Sequence, residues 1–161
     1  MMQLRPTDLA RLLSLVPACL LFLPASAGAQ LREPSATVIA IPPLATAKDV
    51  KTDSGTTWGL ANQIADLISA DLKSTNSFIV ANVKDVRIPS YPEVTAPSYG
   101  TWRSAGAKLL LSCFVNARSD GRLTIGCYVY DVQSGREVDR QGFAVATTEW
   151  RRAAHRCADM A

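Results

Sequence analysis

The chain has 161 residues, enough for one ordinary domain and too few for two. Its 48% hydrophobic and 19% charged residues argue against a disordered chain, and a formal charge of +3 without a basic cluster argues against nucleic-acid and anionic-membrane surfaces. Four cysteines and a single histidine leave little material for metal or nucleophile chemistry.

Arg5 and Arg11 precede an apolar run, Leu12 to Leu23, and Ala27-Gly28-Ala29 follows as a small-x-small cleavage site. This is the pattern of a secretory signal peptide over residues 1–29, cut after Ala29. A membrane-spanning helix needs about 20 apolar residues, and this run is shorter and carries Pro17. A lipoprotein reading through Cys19 fails because only Leu12 to Val16 would precede the cut. Taking Arg5, Arg11 and Asp8 away from 17 basic and 14 acidic residues leaves a formal charge of +2 on Gln30–Ala161. Export places Cys113, Cys127 and Cys157 in an oxidising compartment, where an odd number leaves at least one thiol outside any internal bridge.

Residues 30–36 form a short polar lead broken by Pro34, a flexible amino-terminal segment ahead of the domain at 37–161. Thr37 to Ile41 reads as a fully buried strand stopped by Pro42-Pro43. Leu44 to Gly55 reads as a polar loop. From Thr57 the period changes: Leu60, Ile64, Leu67, Ile68 and Leu72 fall at helical spacing, and the helix ends around Ser74 to Asn76. Phe78 to Val83 is strand-like. Lys84 to Gly100, with Pro89, Pro92 and Pro97, reads as an extended surface loop. A short helical turn is expected through Thr101 to Ala105, stopped by Gly106.

Leu109 to Val132 carries the clearest signal in the chain, two strand-like runs flanking Arg118-Ser119-Asp120-Gly121-Arg122. Either Asp120-Gly121 is a two-residue loop or Ser119-Asp120-Gly121 is a three-residue one. The second sets Leu111 opposite Val129, Cys113 opposite Cys127 and Val115 opposite Ile125, all on one apolar face, whereas the first sets Asn116 against Ile125. A one-residue slip exchanges buried and exposed faces, so the three-residue loop is expected. It makes Cys113 and Cys127 direct opposites on a non-hydrogen-bonded pair, with Cα atoms about 4.5 Å apart, and predicts a disulfide. Arg136 to Thr147 completes a three-stranded meander after Ser134-Gly135. Thr148 is placed to cap a helix that begins at Glu149-Trp150 and is still helical at the last residue, the pattern of a fragment. The order β-α-β-(short α)-β-β-β-α gives an α/β fold: a single small domain, one mixed five-stranded sheet with helices packed on it.

Catalytic and metal motifs are missing. His155 sits among arginines, no Gly-x-Ser-x-Gly elbow accompanies it, and its spacing from Cys157 puts the two on different helix faces. No dinucleotide or phosphate loop is present, so no cofactor is expected. Asp66 and Asp71 lie off the apolar stripe and read as solvated. Trp58, Trp102 and Trp150 read as core or domain-interface residues.

Three stretches together resemble the amino-terminal domain of the TolB family, the periplasmic component of the Tol-Pal envelope system. They are IAIPPL, ANQIADLISADLKSTNSF, and TWRSAGAKLLLS with WRRAAHRCADMA. The Trp-Arg-x-x-Ala-His-x-x-Ala-Asp pattern from Trp150 to Asp159 is the most telling. The resemblance implies a small α/β domain followed in the family by a β-propeller, and a protein that acts by binding rather than catalysis. It implies docking on TolA through the extreme amino terminus and on the lipoprotein Pal mainly through the propeller, in a system that maintains the outer membrane and helps it constrict at division. The sequence stops at Ala161 with no propeller, and Gln30 to Ala36 is shorter than the family's TolA-binding arm.

The expectation is therefore a periplasmic protein-interaction domain with no enzymatic activity, contacting its partner by strand pairing through Gln30, Leu31, Arg32 and Glu33. The alternative is a small periplasmic α/β hydrolase or ligand-binding domain.

Overall fold

The computed structural model describes residues 36–83 and 86–161, so the predicted signal peptide and Gln30–Ser35 lie outside the described residues. Strand β1, Thr37–Ala40, ends where Pro42 and Pro43 offer no N–H to a ladder. A two-residue hairpin follows, β2 (Lys51–Thr52) with β3 (Gly55–Thr56), and Gly55 turns it at φ +118°. Helix α1, Thr57–Ser74, starts at Thr56, whose hydroxyl accepts the Gly59 N–H at 3.1 Å. Its buried stripe is Leu60, Ala61, Ile64, Ala65, Ile68 and Leu72. The rest of the chain adds β4 (Phe78–Val80), a 3₁₀ turn at Tyr91–Val94, and α2 (Tyr99–Ser104). Then come β5 (Leu109–Ala117), β6 (Arg122–Asp131), β7 (Arg136–Ala146), a 3₁₀ turn at Thr147–Glu149 and α3 (Trp150–Ala158).

The sheet runs β4-β1-β5-β6-β7. Strand β1 is parallel to both neighbours, and the last three strands are antiparallel. The hairpin has the register read from its pattern: Leu111↔Val129, Cys113↔Cys127, Val115↔Ile125. Arg118 N–H donates to Arg122 O at 2.8 Å around a Ser119–Gly121 loop, and Gly121 takes φ +76°. Strand alternation then divides the core. Leu111, Cys113, Val115, Leu123, Ile125, Cys127 and Val129 meet α1 and α3. Leu110, Tyr130 and Val132 face the other way, under Trp102 and Ala107. The hydroxyl of Tyr130 donates to Val94 O at 3.0 Å and fastens the 3₁₀ turn to that second layer.

Five local expectations need correction. The Leu44–Gly55 stretch buries Leu44 and Ala45, bridges Ala45 to Phe114, and holds the small hairpin. The strand expected to reach Val83 stops at Val80, because β1 stops at Ala40 and leaves later residues only the Ala81 N–H to Ile39 O bond. The Lys84–Gly100 loop contains a 3₁₀ turn and the start of α2, two residues ahead of Thr101. Thr148 caps nothing: the preceding turn winds as 3₁₀, buries Thr147 and brings α3 in at Trp150. Finally, α3 ends at Ala158, before the last residue.

Candidate functional site

The four residues expected to meet a partner, Gln30, Leu31, Arg32 and Glu33, lie outside the described residues. The described chain enters beside β4, where Thr37 N–H donates to Ser77 O at 2.9 Å. Cys113 and Cys127 are joined, with Cα atoms 4.1 Å apart on adjacent strands. Both sulfurs lie in the helix-covered core with Cys157, whose free thiol is pushed up to about 12 by burial. A thiol so held is protonated at neutral pH and is no nucleophile.

His155 is brought to Asp71, Nδ1 to Oδ2 at 2.6 Å, which ties the outer faces of α3 and α1 together. Asp71 is thus a helix-to-helix partner rather than merely solvated, whereas Asp66 is exposed as expected. Both members of the pair are partly exposed, so it contributes on the order of 1 kcal/mol or less. Among the described residues no group of three His, Cys, Asp or Glu is placed to hold a metal, and no helix is long and apolar enough to cross a membrane. Trp102 and Trp150 are buried, and Arg151 lies over the Trp150 ring at 4.2 Å. Trp58 is not a core residue: it is 57% exposed on the first turn of α1.

The two open edges of the sheet differ. On β7 the first half carries Arg136, Glu137, Asp139 and Arg140, and a bulge sets Val138 aside. Its edge groups are capped from within: Asp139 Oδ1 accepts the Arg140 N–H at 2.8 Å, and the Arg122 guanidinium donates to Ala144 O. These are the devices by which a sheet edge refuses further strands. On β4, Ser77 and Ala81 bond inward to β1, so alternation turns the N–H and C=O of Phe78 and Val80 outward. No charged residue occurs between Phe78 and Val83, and Ile79 is 55% exposed.

Two concavities flank this half of the molecule. A groove of about 510 Å³ runs between β4 and α1, lined by Ile41, Pro43, Ala65 and Val80 and rimmed by Asp66 and Lys73. A smaller cavity of about 230 Å³ lies over Trp102 and Ser112, between Pro89 and Pro97. The edge was partly legible, since FIVANV lacks the charges of REVDRQ, but only the strand order makes it an edge.

Residues 33–138 match the TolB amino-terminal domain family. The Tol-Pal system protein TolB of Zymomonas mobilis is 48% identical over 75% of this chain and 26% of its own length. That of Rhizorhabdus wittichii is 43% identical over 76% and 28%. The chain thus spans about a quarter of the length of the curated relatives it matches. Among solved structures, TolB from Acinetobacter baumannii superposes with a TM-score of 0.56 at 20% identity, covering 77% of this chain and 27% of that one. Escherichia coli LpoB gives 0.50 at 14% identity, covering 70% and 57%, a likeness of fold alone. By its sequence and its fold, the chain belongs to the TolB amino-terminal domain family.

Proposed function

We propose that this chain is a periplasmic protein-interaction domain of the Tol-Pal envelope system that supports outer-membrane integrity and constriction during division. The family match over residues 33–138 carries the reading. In this reading the chain is exported and cut after Ala29, and it works by binding rather than by catalysis. Gln30, Leu31, Arg32 and Glu33 contact TolA as an extended strand, because a free segment added to a sheet edge gains main-chain hydrogen bonds. The Pal contact belongs to the propeller implied for the family, beyond the sequence described here. The buried, protonated Cys157 offers no nucleophile for the alternative hydrolase reading.

A pull-down on immobilised TolA, with and without Gln30–Ser35, tests the contact. Retention should fall at least about tenfold on deletion, the equivalent of a single lost main-chain pair. Unchanged retention would sink the assignment of this segment.

A further inference from the structure

We propose that the β4 edge and the groove beside it form a second docking surface, which takes one extended segment of a partner protein as a sixth strand antiparallel to β4. This surface is separate from the amino-terminal segment and does not depend on what that segment binds.

The sheet is asymmetric at its edges. One fold carries two open edges, and only β7 is defended, by four charges, a bulge and two capped edge groups. On β4 the outward N–H and C=O of Phe78 and Val80 stand in an uncharged stretch beside an exposed Ile79. An undefended edge of this kind is a template for strand addition.

The groove states what the added strand must be. Phe78 and Val80 pack toward the helix layer, so residues opposite them also face α1. There Ile41, Pro43, Ala65 and Val80 supply apolar lining, Asn62, Ser69 and Asn82 add neutral polar groups, and Asp66 and Lys73 bring one charge of each sign. Lys73 is in the last turn of α1, close to where β4 begins, and Asp66 lies two turns back, about 10 Å along the axis. Neither is paired with another described residue. In an antiparallel strand, a basic residue first meets Asp66, an apolar residue two positions on enters the groove, and an acidic residue two further on meets Lys73. The apolar and acidic residues also exchange main-chain hydrogen bonds with Val80 and Phe78. The partner is therefore an extended peptide of pattern basic-x-apolar-x-acidic.

The probe is the blocked peptide Thr-Lys-Thr-Val-Thr-Glu-Thr, titrated into the ¹⁵N-labelled chain with amide shifts as the readout. Shifts should concentrate at Phe78–Ala81 and along Asp66–Lys73. The same peptide with N-methylvaline, or with Lys and Glu exchanged, should bind at least about tenfold more weakly. Val80→Pro removes an outward N–H that the β1 ladder does not use, a position where an edge strand tolerates proline, and should abolish the shifts. If that variant does not fold, the double variant Asp66→Lys with Lys73→Glu decides: with both rim charges exchanged, it should favour the charge-exchanged peptide over the original. Absence of shifts at millimolar peptide, shifts confined to β7, or indifference to N-methylation would overturn the proposal. Shifts at Phe78–Ala81 that depend on protein concentration without peptide would assign the edge to a second copy and overturn it too.

Discussion

Gly126 sits mid-sheet between Phe114 and Gly142, and the Phe114 ring occupies the space where a side chain at 126 would go. A Cβ at this position would overlap Cε1 and Cζ of that ring, so the ring must swing away and give up its edge-on contact with Tyr91, at 5.3 Å between centroids. Gly126→Ala should therefore destabilise the domain by about 1–3 kcal/mol, the usual cost of overpacking. Chemical denaturation measures it, and Gly126→Ala combined with Phe114→Leu should recover part of the loss because the two sites couple. Full additivity of the two substitutions would show that the ring is not what excludes a side chain at 126. Backbone strain plays no part, since Gly126 is not among the glycines with positive φ.

At the scale of elements, the 3₁₀ turn at Tyr91–Val94 is held by one carboxylate. Glu93 reaches back to accept from the Ser90 hydroxyl at 2.6 Å and the Ser90 N–H at 2.7 Å, and pairs with Arg87 at 2.6 Å. Those two Ser90 bonds, followed by Arg87, hold its carboxyl down at about 2 from an ordinary 4.5. A depressed carboxylate contributes order that is complete above pH 4.5 and lost as pH falls toward 2. The turn should loosen in that window, read as a Glu93 carboxyl titration near 2 that moves up toward 4.5 in Ser90→Ala. A Glu93 titration already at 4.5 in the parent would refute the cap. This element is hard to read in the sequence because Pro92 reads as a breaker, although proline is tolerated in the first turn of a helix. The β2–β3 hairpin escaped because two-residue strands carry no alternation to read. By contrast, the β5–β6 register and α1 were legible, since long periodic runs with Gly121 at the turn admit one consistent arrangement. The open edge was harder: nothing local to Phe78–Val80 says that β1 will insert between β4 and β5.

For the whole molecule, the bond between Cys113 and Cys127 closes a loop of about 15 residues, worth on the order of 3 kcal/mol in the chain-entropy model and less in a hairpin already restrained by its ladder. Thiol titration of denatured, unreduced Gln30–Ala161 should find one reactive group, Cys157, and three would refute the bridge. Both strands of that hairpin pair locally, as does β7. Strand β1 does not: its neighbours are Phe78–Val80 on one side and Leu109–Leu110 on the other. Long closures of this kind are the slow steps of folding. If the chain is exported amino terminus first, as proposed above, β1 emerges ahead of both neighbours and waits for them. The β5–β7 meander can assemble by itself, and the sheet is completed only when β1 slots in beside Leu109. The strand that comes first in the chain should then be the last to find its place.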